Sequence, residues 1–188
     1  MDPPLSSHTQ SPPPRPVTGA ILQKHWRAWR RYCPSVYKWV KEGVRIPWKQ
    51  TAPHARTCKQ KLLTQQEVEW LDKEVHNMIQ AGAIFHNDNK NVITSSIYTV
   101  FKKESPDRRP VINLRWVNEH VHSPHFKMTT LKDAKALITR NCWMAKIDLK
   151  DCFWQLPVHP KDRRTLSFKW KGIVYSFRGL PFGLSVSP

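Results

Sequence analysis

The chain has 188 residues, which is enough for one ordinary domain or part of a larger one. Its 31 Lys and Arg against 14 Asp and Glu leave a formal net charge of +17, which indicates a polyanionic partner such as nucleic acid. No apolar run approaches the roughly 18 residues of a membrane span, so the sequence excludes an integral membrane protein and predicts no membrane partner. The 39% hydrophobic content and nine tryptophans exclude a wholly disordered basic tail.

The N-terminus shows neither the basic nor the apolar region of a secretory signal, so we expect an intracellular protein of unassigned compartment. The four cysteines form no C-x-x-C pair, and we predict free thiols rather than a disulfide framework. Residues 1–20 contain six of the sixteen prolines and few apolar anchors, which predicts a disordered, polyproline-like leader. A proline-rich docking ligand is the alternative for that leader.

A basic arm is predicted over residues 21–61. Residues 24–61 carry eleven Lys or Arg and a single acid, Glu42, and four tryptophans are interleaved with these charges. Cations neutralise phosphates and indole rings stack on bases, so the arm is a candidate nucleic-acid surface. In the alternative, the tryptophans pack on the next domain and the charges are only solvated. The candidate phosphate ligands are Arg27, Arg30, Arg31, Lys38 and Lys41.

The pattern of the remaining residues, 62–188, predicts one α+β domain without internal repeats. Thr64 and Glu67 form a capping-box sequence before a helical apolar stripe, which Gly82 ends. Two hairpins are predicted, at 97–103 with 110–117 and at 165–170 with 173–177, the second around Lys171-Gly172. We also predict a short helix at 130–139 with Leu131, Ala134, Leu137 and Ile138 inward, and a strand at 144–149.

Asp148 and Asp151 are the carboxylates that could carry chemistry. A carboxylate at the end of a buried strand is a suitable ligand for a hard cation such as Mg²⁺. On spacing alone, the two aspartates could equally cap a turn, because Asp-x-x-Asp is a weak pattern. His120, His122 and His125 have a spacing that could contact a metal, but exposed loop histidines are the expectation because no cysteine lies near them.

Three blocks of sequence occur together. The first runs from Phe101-Lys102-Lys103 to 108–118, the second is Trp-Met-Ala-Lys-Ile-Asp-Leu-Lys-Asp at 143–151, and the third is Leu-Pro-Phe-Gly-Leu at 180–184. In this order and spacing they resemble the reverse transcriptases of retroelements, over about residues 61–188. Together with His125-Phe126-Lys127-Met128, the amino-acid sequence of these blocks is most similar to that of the DIRS-type (tyrosine-recombinase) retrotransposons.

The resemblance implies a partial right-hand polymerase, with fingers and an incomplete palm, that carries out template-directed nucleotidyl transfer on an RNA/DNA primer–template with dNTP. It implies that Asp148 is the first catalytic, metal-binding aspartate, for Mg²⁺ or Mn²⁺, and that Phe153 occupies the steric-gate position against the sugar. The other implied nucleotide ligands are Lys102, Lys103, Arg109, Asp151, Cys152, Phe182 and Gly183. For these residues the alternatives are a solvated hairpin tip, plain core for Phe153 and an ordinary turn for Gly183.

One departure from the family bears on activity. The family's later Asp-Asp hairpin, its thumb and any fused RNase H module are not in the 188 residues. Because two-metal catalysis needs several carboxylates around cations about 4 Å apart, we expect the metals to be poorly bound and this chain alone to be inactive. A non-catalytic, basic nucleic-acid-binding remnant of a retroelement is the competing hypothesis. The polymerase interpretation also requires Asp148 to share a cleft with Lys103, Arg109 and Gly183.

Overall fold

The computed structural model describes residues 19–103, 105–123, 129–145, 147–149 and 151–187. Helices and strands alternate irregularly, which confirms the α+β class. The helices are α1 (Trp26–Tyr32), α2 (Tyr37–Glu42), α3 (Gln65–Gln80), α4 (Arg115–Glu119), α5 (Leu131–Lys135) and α6 (Cys152–Gln155). The strands are β1 (Arg56–Thr57), β2 (Ile84–His86), β3 (Ile93–Ser95), β4 (Ile97–Phe101), β5 (Arg108–Ile112), β6 (Ser167–Trp170) and β7 (Ile173–Phe177). Within the described ranges, no helix is long and apolar enough to cross a bilayer.

Most strands belong to one mixed sheet with the order β1-β3-β6-β7-β2. Its β1-β3 and β3-β6 pairs are parallel, whereas β6-β7 and β7-β2 are antiparallel. The β6-β7 hairpin turns at Lys171 and Gly172, whose φ angles of 45° and 86° match a two-residue turn of the primed type. Strands β4 and β5 form a separate antiparallel hairpin, from Ile97 opposite Ile112 to Phe101 opposite Arg108. Both predicted hairpins are thus confirmed.

Helix α3 packs its apolar stripe against the sheet. Thr64 and Glu67 form the predicted capping box, and Ala83 N–H donates to the Met78 carbonyl after Gly82 adopts a φ of 67°, so the helix ends in a Schellman motif. The buried core includes Leu71, Val75, Met78, Ile84, Ile93, Ile97, Leu166, Phe168 and Phe177. Each fully buried side chain of this kind contributes about 1.5–3 kcal/mol to the free energy of unfolding.

The chain before α3 is tied to this core. Asp162, with 1% of its surface exposed, accepts hydrogen bonds from Arg45 Nε at 2.6 Å, Trp48 Nε1 at 3.1 Å and the Ile46 N–H at 3.2 Å. Ile46 belongs to the main core cluster, and β1 forms the edge of the sheet. Residues 21–61 therefore supply one edge of the fold as well as the helices that precede it.

Residues 1–18 of the predicted leader lie outside the described residues. The two that follow are held by the body of the protein: the Gly19 N–H donates to the Ala81 carbonyl at 2.9 Å and the Ala20 N–H to the Trp154 carbonyl at 2.7 Å. A Cβ on Gly19 would lie 1.9 Å from the Gly82 oxygen, so this contact requires glycine. The four cysteines are free thiols, as predicted.

Three sequence predictions need correction. The second strand of the first hairpin ends at Ile112, and residues 115–119 form α4, in which Val117 is buried. The helix predicted at 130–139 is only Leu131–Lys135, begun by a Thr130–Asp133 capping box, and its apolar residues Leu131, Leu137 and Ile138 are exposed rather than inward. The capping box fixes the start of this helix, but no core lies opposite its apolar side chains.

The strand predicted at 144–149 is the third correction. Its described residues form no strand, and Ile147 is 84% exposed. A strand needs a neighbour to share its backbone hydrogen bonds, and none of the described strands pairs with this segment. Alternation of apolar residues predicted a strand face, but no partner is present to pair with it.

Candidate nucleotide site

A cavity of about 400 Å³ opens between the β4-β5 hairpin, helix α3 and helix α6. We call it the basic cavity, because three of its side chains are cations from or beside the hairpin. Four residues that the sequence predicted for nucleotide binding are brought together here: Lys102, Arg109, Asp151 and Phe182. The complete lining is Trp70, Glu74, Lys102, Arg108, Arg109, Pro110, Asp151, Trp154 and Phe182.

The two arginines of β5 have different surroundings. Arg108 donates from Nη1 to Thr99 Oγ1 at 2.9 Å, lies 3.8 Å from the Glu67 carboxylate and covers the Phe101 ring at 4.2 Å. Arg109 is exposed, and within the described ranges it has neither an ion pair nor a side-chain hydrogen bond. Arg108 thus fixes the hairpin to α3, whereas Arg109, in the lining of the same cavity, has no such partner among the described residues.

Glu67 links the start of α3 to the hairpin. It accepts a hydrogen bond from the Thr64 backbone N–H at 2.8 Å and approaches Thr99 and Arg108 on the other side. The hydrogen bonds from Thr64, first from its backbone and then from its hydroxyl, lower the pKa of Glu67 below its ordinary value of 4.5. The carboxylate is therefore ionised when it meets Arg108.

Lys102 is held at the tip of the hairpin by Asp107. Its side-chain ammonium lies 3.3 Å from the Asp107 carboxylate, and its backbone N–H donates to the Asp107 backbone carbonyl at 2.8 Å. This pair is exposed, and such pairs contribute about 0–1 kcal/mol. An incoming anion can therefore replace Asp107 as the partner of Lys102 at little cost. Lys103 is exposed next to Lys102 and is not part of the cavity lining.

The opposite wall is the start of α6. Asp151 precedes the helix in a left-handed conformation, with φ 53° and ψ 33°, and its carbonyl accepts from the Trp154 N–H at 3.0 Å. Cys152, the first helical residue, is exposed. Phe153 meets Phe182 edge to face, with ring centroids 5.0 Å apart. Phe182 lines the cavity, and Phe153 is in contact with it without being part of the lining.

Gly183 faces a second opening beside the first. This cavity has a volume of about 590 Å³ and lies between β5, α4 and Gly183. Asn118 fixes the loop there, because its Nδ2 donates to the Gly183 carbonyl at 2.8 Å and its Oδ1 accepts from the Ser185 N–H at 3.0 Å. Gly183 has a φ of 96°, and a Cβ would lie 3.1 Å from the Ile112 oxygen, so the position requires glycine.

Five lining residues of the basic cavity were not predicted as site residues, and two of them lie on α3. Glu74 is 7% exposed and accepts from Asn77 Nδ2 at 3.2 Å, and Trp70 lies one helical turn before it. The available signal was the i, i+4 spacing, which places Trp70 and Glu74 on one side of α3. Asn118 lies within the first sequence block, but the resemblance implies no role for it.

Asp148 lies in the segment 147–149, is exposed, and lines neither of these cavities. Among the described residues, the strand predicted to aim this carboxylate is not formed, and a cleft shared by Asp148 and the hairpin stays a prediction. The catalytic role of Asp148 stays a prediction too. Within the described ranges, no group of three or more His, Cys, Asp or Glu side chains could hold a metal ion. These residues do not fit a magnesium centre, and we assign no step to a metal.

The histidines and the arm lie outside the basic cavity. His120 contacts the Trp116 carbonyl through Nδ1 at 2.9 Å, His122 is exposed, and His125 lies outside the described residues. Arg27 and Lys41 both cover the ring of Trp26, at 5.0 and 4.9 Å. Arg30, Arg31 and Lys38 are exposed on the arm.

Comparison with known proteins gives a family match for the part of the chain that supplies most of the lining of the basic cavity. Residues 100–188 match the family described as reverse transcriptase (RNA-dependent DNA polymerase). This match contains β5, α6 and the loop at Phe182 and Gly183. It supports the coarse resemblance inferred from the three blocks, and it does not test the DIRS-type assignment.

The relatives are segments of polyproteins. The chain is 27% identical over 121 residues to the Pol polyprotein of transposon gypsy from Drosophila melanogaster, which covers 62% of this chain and 12% of that protein. It is 28% identical over 150 residues to the Gag-Pro-Pol polyprotein of sheep pulmonary adenomatosis virus, covering 76% of this chain and 8% of that protein. The chain therefore spans about a tenth of the length of these relatives.

The fold is similar to a solved polymerase structure. A foamy viral protease–reverse transcriptase in complex with an RNA/DNA hybrid matches with a TM-score of 0.58 and 21% identity, over 76% of this chain and 19% of that one. The described fold is thus similar to part of the fold of that solved protein.

Proposed function

We propose that this chain is the fingers and the beginning of the palm of an RNA-directed DNA polymerase, and that the basic cavity receives the triphosphate of an incoming dNTP. The observation that carries the proposal is Arg109, which has no ion pair among the described residues and lines a cavity of about 400 Å³ together with Lys102 and the start of α6. Phosphoryl transfer depends on positioning and charge neutralisation. Cations on a hairpin opposite a helix start meet both requirements.

Individual roles follow from the resemblance together with these positions. Arg109 and Lys102, with Lys103 beside them, would bind phosphate oxygens, and the backbone amides of Asp151 and Cys152 would face the same group. Phe153, packed edge to face on Phe182, would stand against the sugar. Gly183 would allow the template strand to approach the backbone closely.

Nucleotidyl transfer itself would belong to the complete protein, with its primer–template. In that protein Asp148 would supply one carboxylate to a Mg²⁺ or Mn²⁺ centre, and later segments would supply the rest, with a thumb and a fused RNase H module as further parts. The amino-acid sequence of the second and third blocks and of residues 125–128 supports a DIRS-type origin. The relatives named above come instead from a gypsy transposon and a retrovirus.

The domain limits remain part of the proposal. They are a Pro-rich leader at 1–20, a basic arm at 21–61 and a partial polymerase domain at 62–188. The second candidate function is a basic, non-catalytic remnant that only binds nucleic acid, and the net charge of +17 favours it. Selective binding of dNTP would separate the two, because a remnant needs no nucleotide cavity.

Equilibrium binding of a dNTP to the purified chain tests the proposal. The fluorescence of Trp70 and Trp154, which line the cavity, provides the signal. A charged hydrogen bond contributes about 1.5–3 kcal/mol, so we expect Arg109→Gln to weaken binding about 10- to 100-fold. The control Lys90→Gln removes an equal charge from an exposed loop residue and should leave binding unchanged. Equal loss in both variants, or no binding to the unaltered chain, would contradict the proposal.

A further inference from the structure

A pair of short helices at the start of the described chain carries a dense positive charge. Helices α1 and α2 are joined by residues 33–36, and Gln23 Nε2 donates to the Lys41 carbonyl at 2.8 Å. That bond ties the residues before α1 to the last turn of α2, so the helices run antiparallel. We call residues 21–42 the helical arm. None of them lines the basic cavity.

The charge of the helical arm is not neutralised by ion pairs within the part of the chain that the structure describes. Glu42 is its single acid. Among the described residues, none of its cations forms an ion pair, whereas Arg45, just beyond the arm, pairs with Asp162. Like charges held close together repel each other, so the arm binds a polyanion more readily than a balanced surface would. The exposed cations are Lys24, Arg27, Arg30, Arg31, Lys38 and Lys41.

The aromatic residues of the arm differ in availability. Trp26 is covered by Arg27 and Lys41, so its ring is already engaged. Trp39 is 54% exposed, follows Lys38 directly and has no ring or cation contact with another described residue. An exposed indole between cations is the arrangement on which unpaired bases stack. The bases of a duplex are already stacked inside it and cannot reach such a ring.

We propose that the helical arm binds single-stranded nucleic acid, with Arg30, Arg31 and Lys38 on the phosphates and a base stacked on Trp39. The surface is separate from the basic cavity, so this inference goes beyond the proposed function. A lipid surface fits less well, because binding in a membrane interface needs an extended apolar helix face. The two helices have seven and six residues, and the apolar Val40 of α2 is buried.

The test measures the affinity of the full chain for a fluorescent 20-nucleotide oligothymidine at several salt concentrations. Each phosphate contact with a single strand adds about 0.7 to the steepness of the plot of log affinity against log salt concentration. The triple variant Arg30→Gln, Arg31→Gln and Lys38→Gln should therefore reduce this slope by about 2. At 0.15 M salt, that change lowers the affinity about 50-fold. The matched control replaces Lys90, Lys161 and Lys169 with Gln, an equal loss of charge at exposed sites elsewhere. Equal loss in the two triple variants would overturn the proposal.

A second variant tests the stacking. Trp39→Leu should weaken oligothymidine binding about 5- to 100-fold, the usual range for one stacked base, and leave binding to a blunt duplex unchanged. Far-ultraviolet circular dichroism verifies that each variant is folded. The proposal is wrong if Trp39→Leu weakens duplex and single-strand binding equally, or if vesicles of anionic lipid bind the chain as tightly as the oligonucleotide does.

Discussion

Arg109 and its neighbours show how single residues build the basic cavity. Both arginines of β5 line it, but Arg108 is held by Thr99 and Glu67, whereas Arg109 has no ion pair or side-chain hydrogen bond among the described residues. The structure places Lys102, Arg109, Asp151 and Phe182, which the resemblance implies as nucleotide ligands, in the lining of one cavity, and their binding role stays a prediction. Glu74 was missed, because a glutamate within a helical pattern looks the same whether it faces solvent or a cavity.

Glu74 gives a prediction at this scale. Its buried carboxylate lies in the wall of the basic cavity and repels a triphosphate there. At a separation of about 7 Å and an effective dielectric constant near 50, between the values for a protein surface and for water, removing that charge is worth about 1 kcal/mol, so Glu74→Gln should strengthen dNTP binding about fivefold. Glutamine can still accept from Asn77. Isothermal titration measures the affinity, with Glu69→Gln on the exposed side of α3 as the control. Weaker binding to Glu74→Gln would contradict the proposed position of the triphosphate.

At the scale of elements, local signals predicted the parts that carry their own turns and caps. The capping box of α3 and the Lys171-Gly172 turn are short-range features, and both formed as expected. The strand at 144–149 and the inward face at 130–139 depended on partners distant in sequence. Without a neighbouring strand or an opposing core, alternation alone does not produce a strand. Helix α4 was missed because its apolar residues suit a strand equally well.

The capping box also predicts a pH dependence. The Thr64 hydrogen bonds lower the pKa of Glu67 in the folded state. The stabilisation from Glu67 is therefore complete above its ordinary pKa of about 4.5 and is lost as the pH falls through the lower, folded-state pKa. We expect Glu67→Gln to be less stable than the unaltered chain at pH 7, with the difference shrinking below pH 4.5. Urea unfolding at several pH values measures it, and a difference independent of pH would contradict this assignment.

At the scale of the whole molecule, the described chain forms a core and the basic cavity but leaves one region without cover. Trp143 is fully exposed, and Met144, Ile147 and Leu149 are exposed near it. Seven of the nine residues that line the basic cavity lie within the family match at 100–188, and the fold is similar to that of a foamy viral reverse transcriptase. The polymerase interpretation depends on this cavity and on those similarities, whereas the role of Asp148 stays a prediction.

We therefore expect no polymerisation by the 188-residue chain. Two-metal catalysis needs several carboxylates at one centre, and the described residues bring none together around Asp148. The purified chain should add no dNTP to a primer on an RNA template, with Mg²⁺ or Mn²⁺ present, above the background without protein. Incorporation that is lost in Asp148→Asn and kept in Asp133→Asn would refute this expectation and would show that Asp148 is catalytic in this chain.

The central claim is that a nucleotide binds between the β4-β5 hairpin and the start of α6. Photo-crosslinking of the full chain with an azido-dNTP, followed by peptide mass spectrometry, tests it most directly. The account predicts labels within residues 98–112 and 151–155, which unmodified dNTP removes by competition and Arg109→Gln reduces. Labels confined to the helical arm at residues 21–42, unchanged in Arg109→Gln, would contradict it.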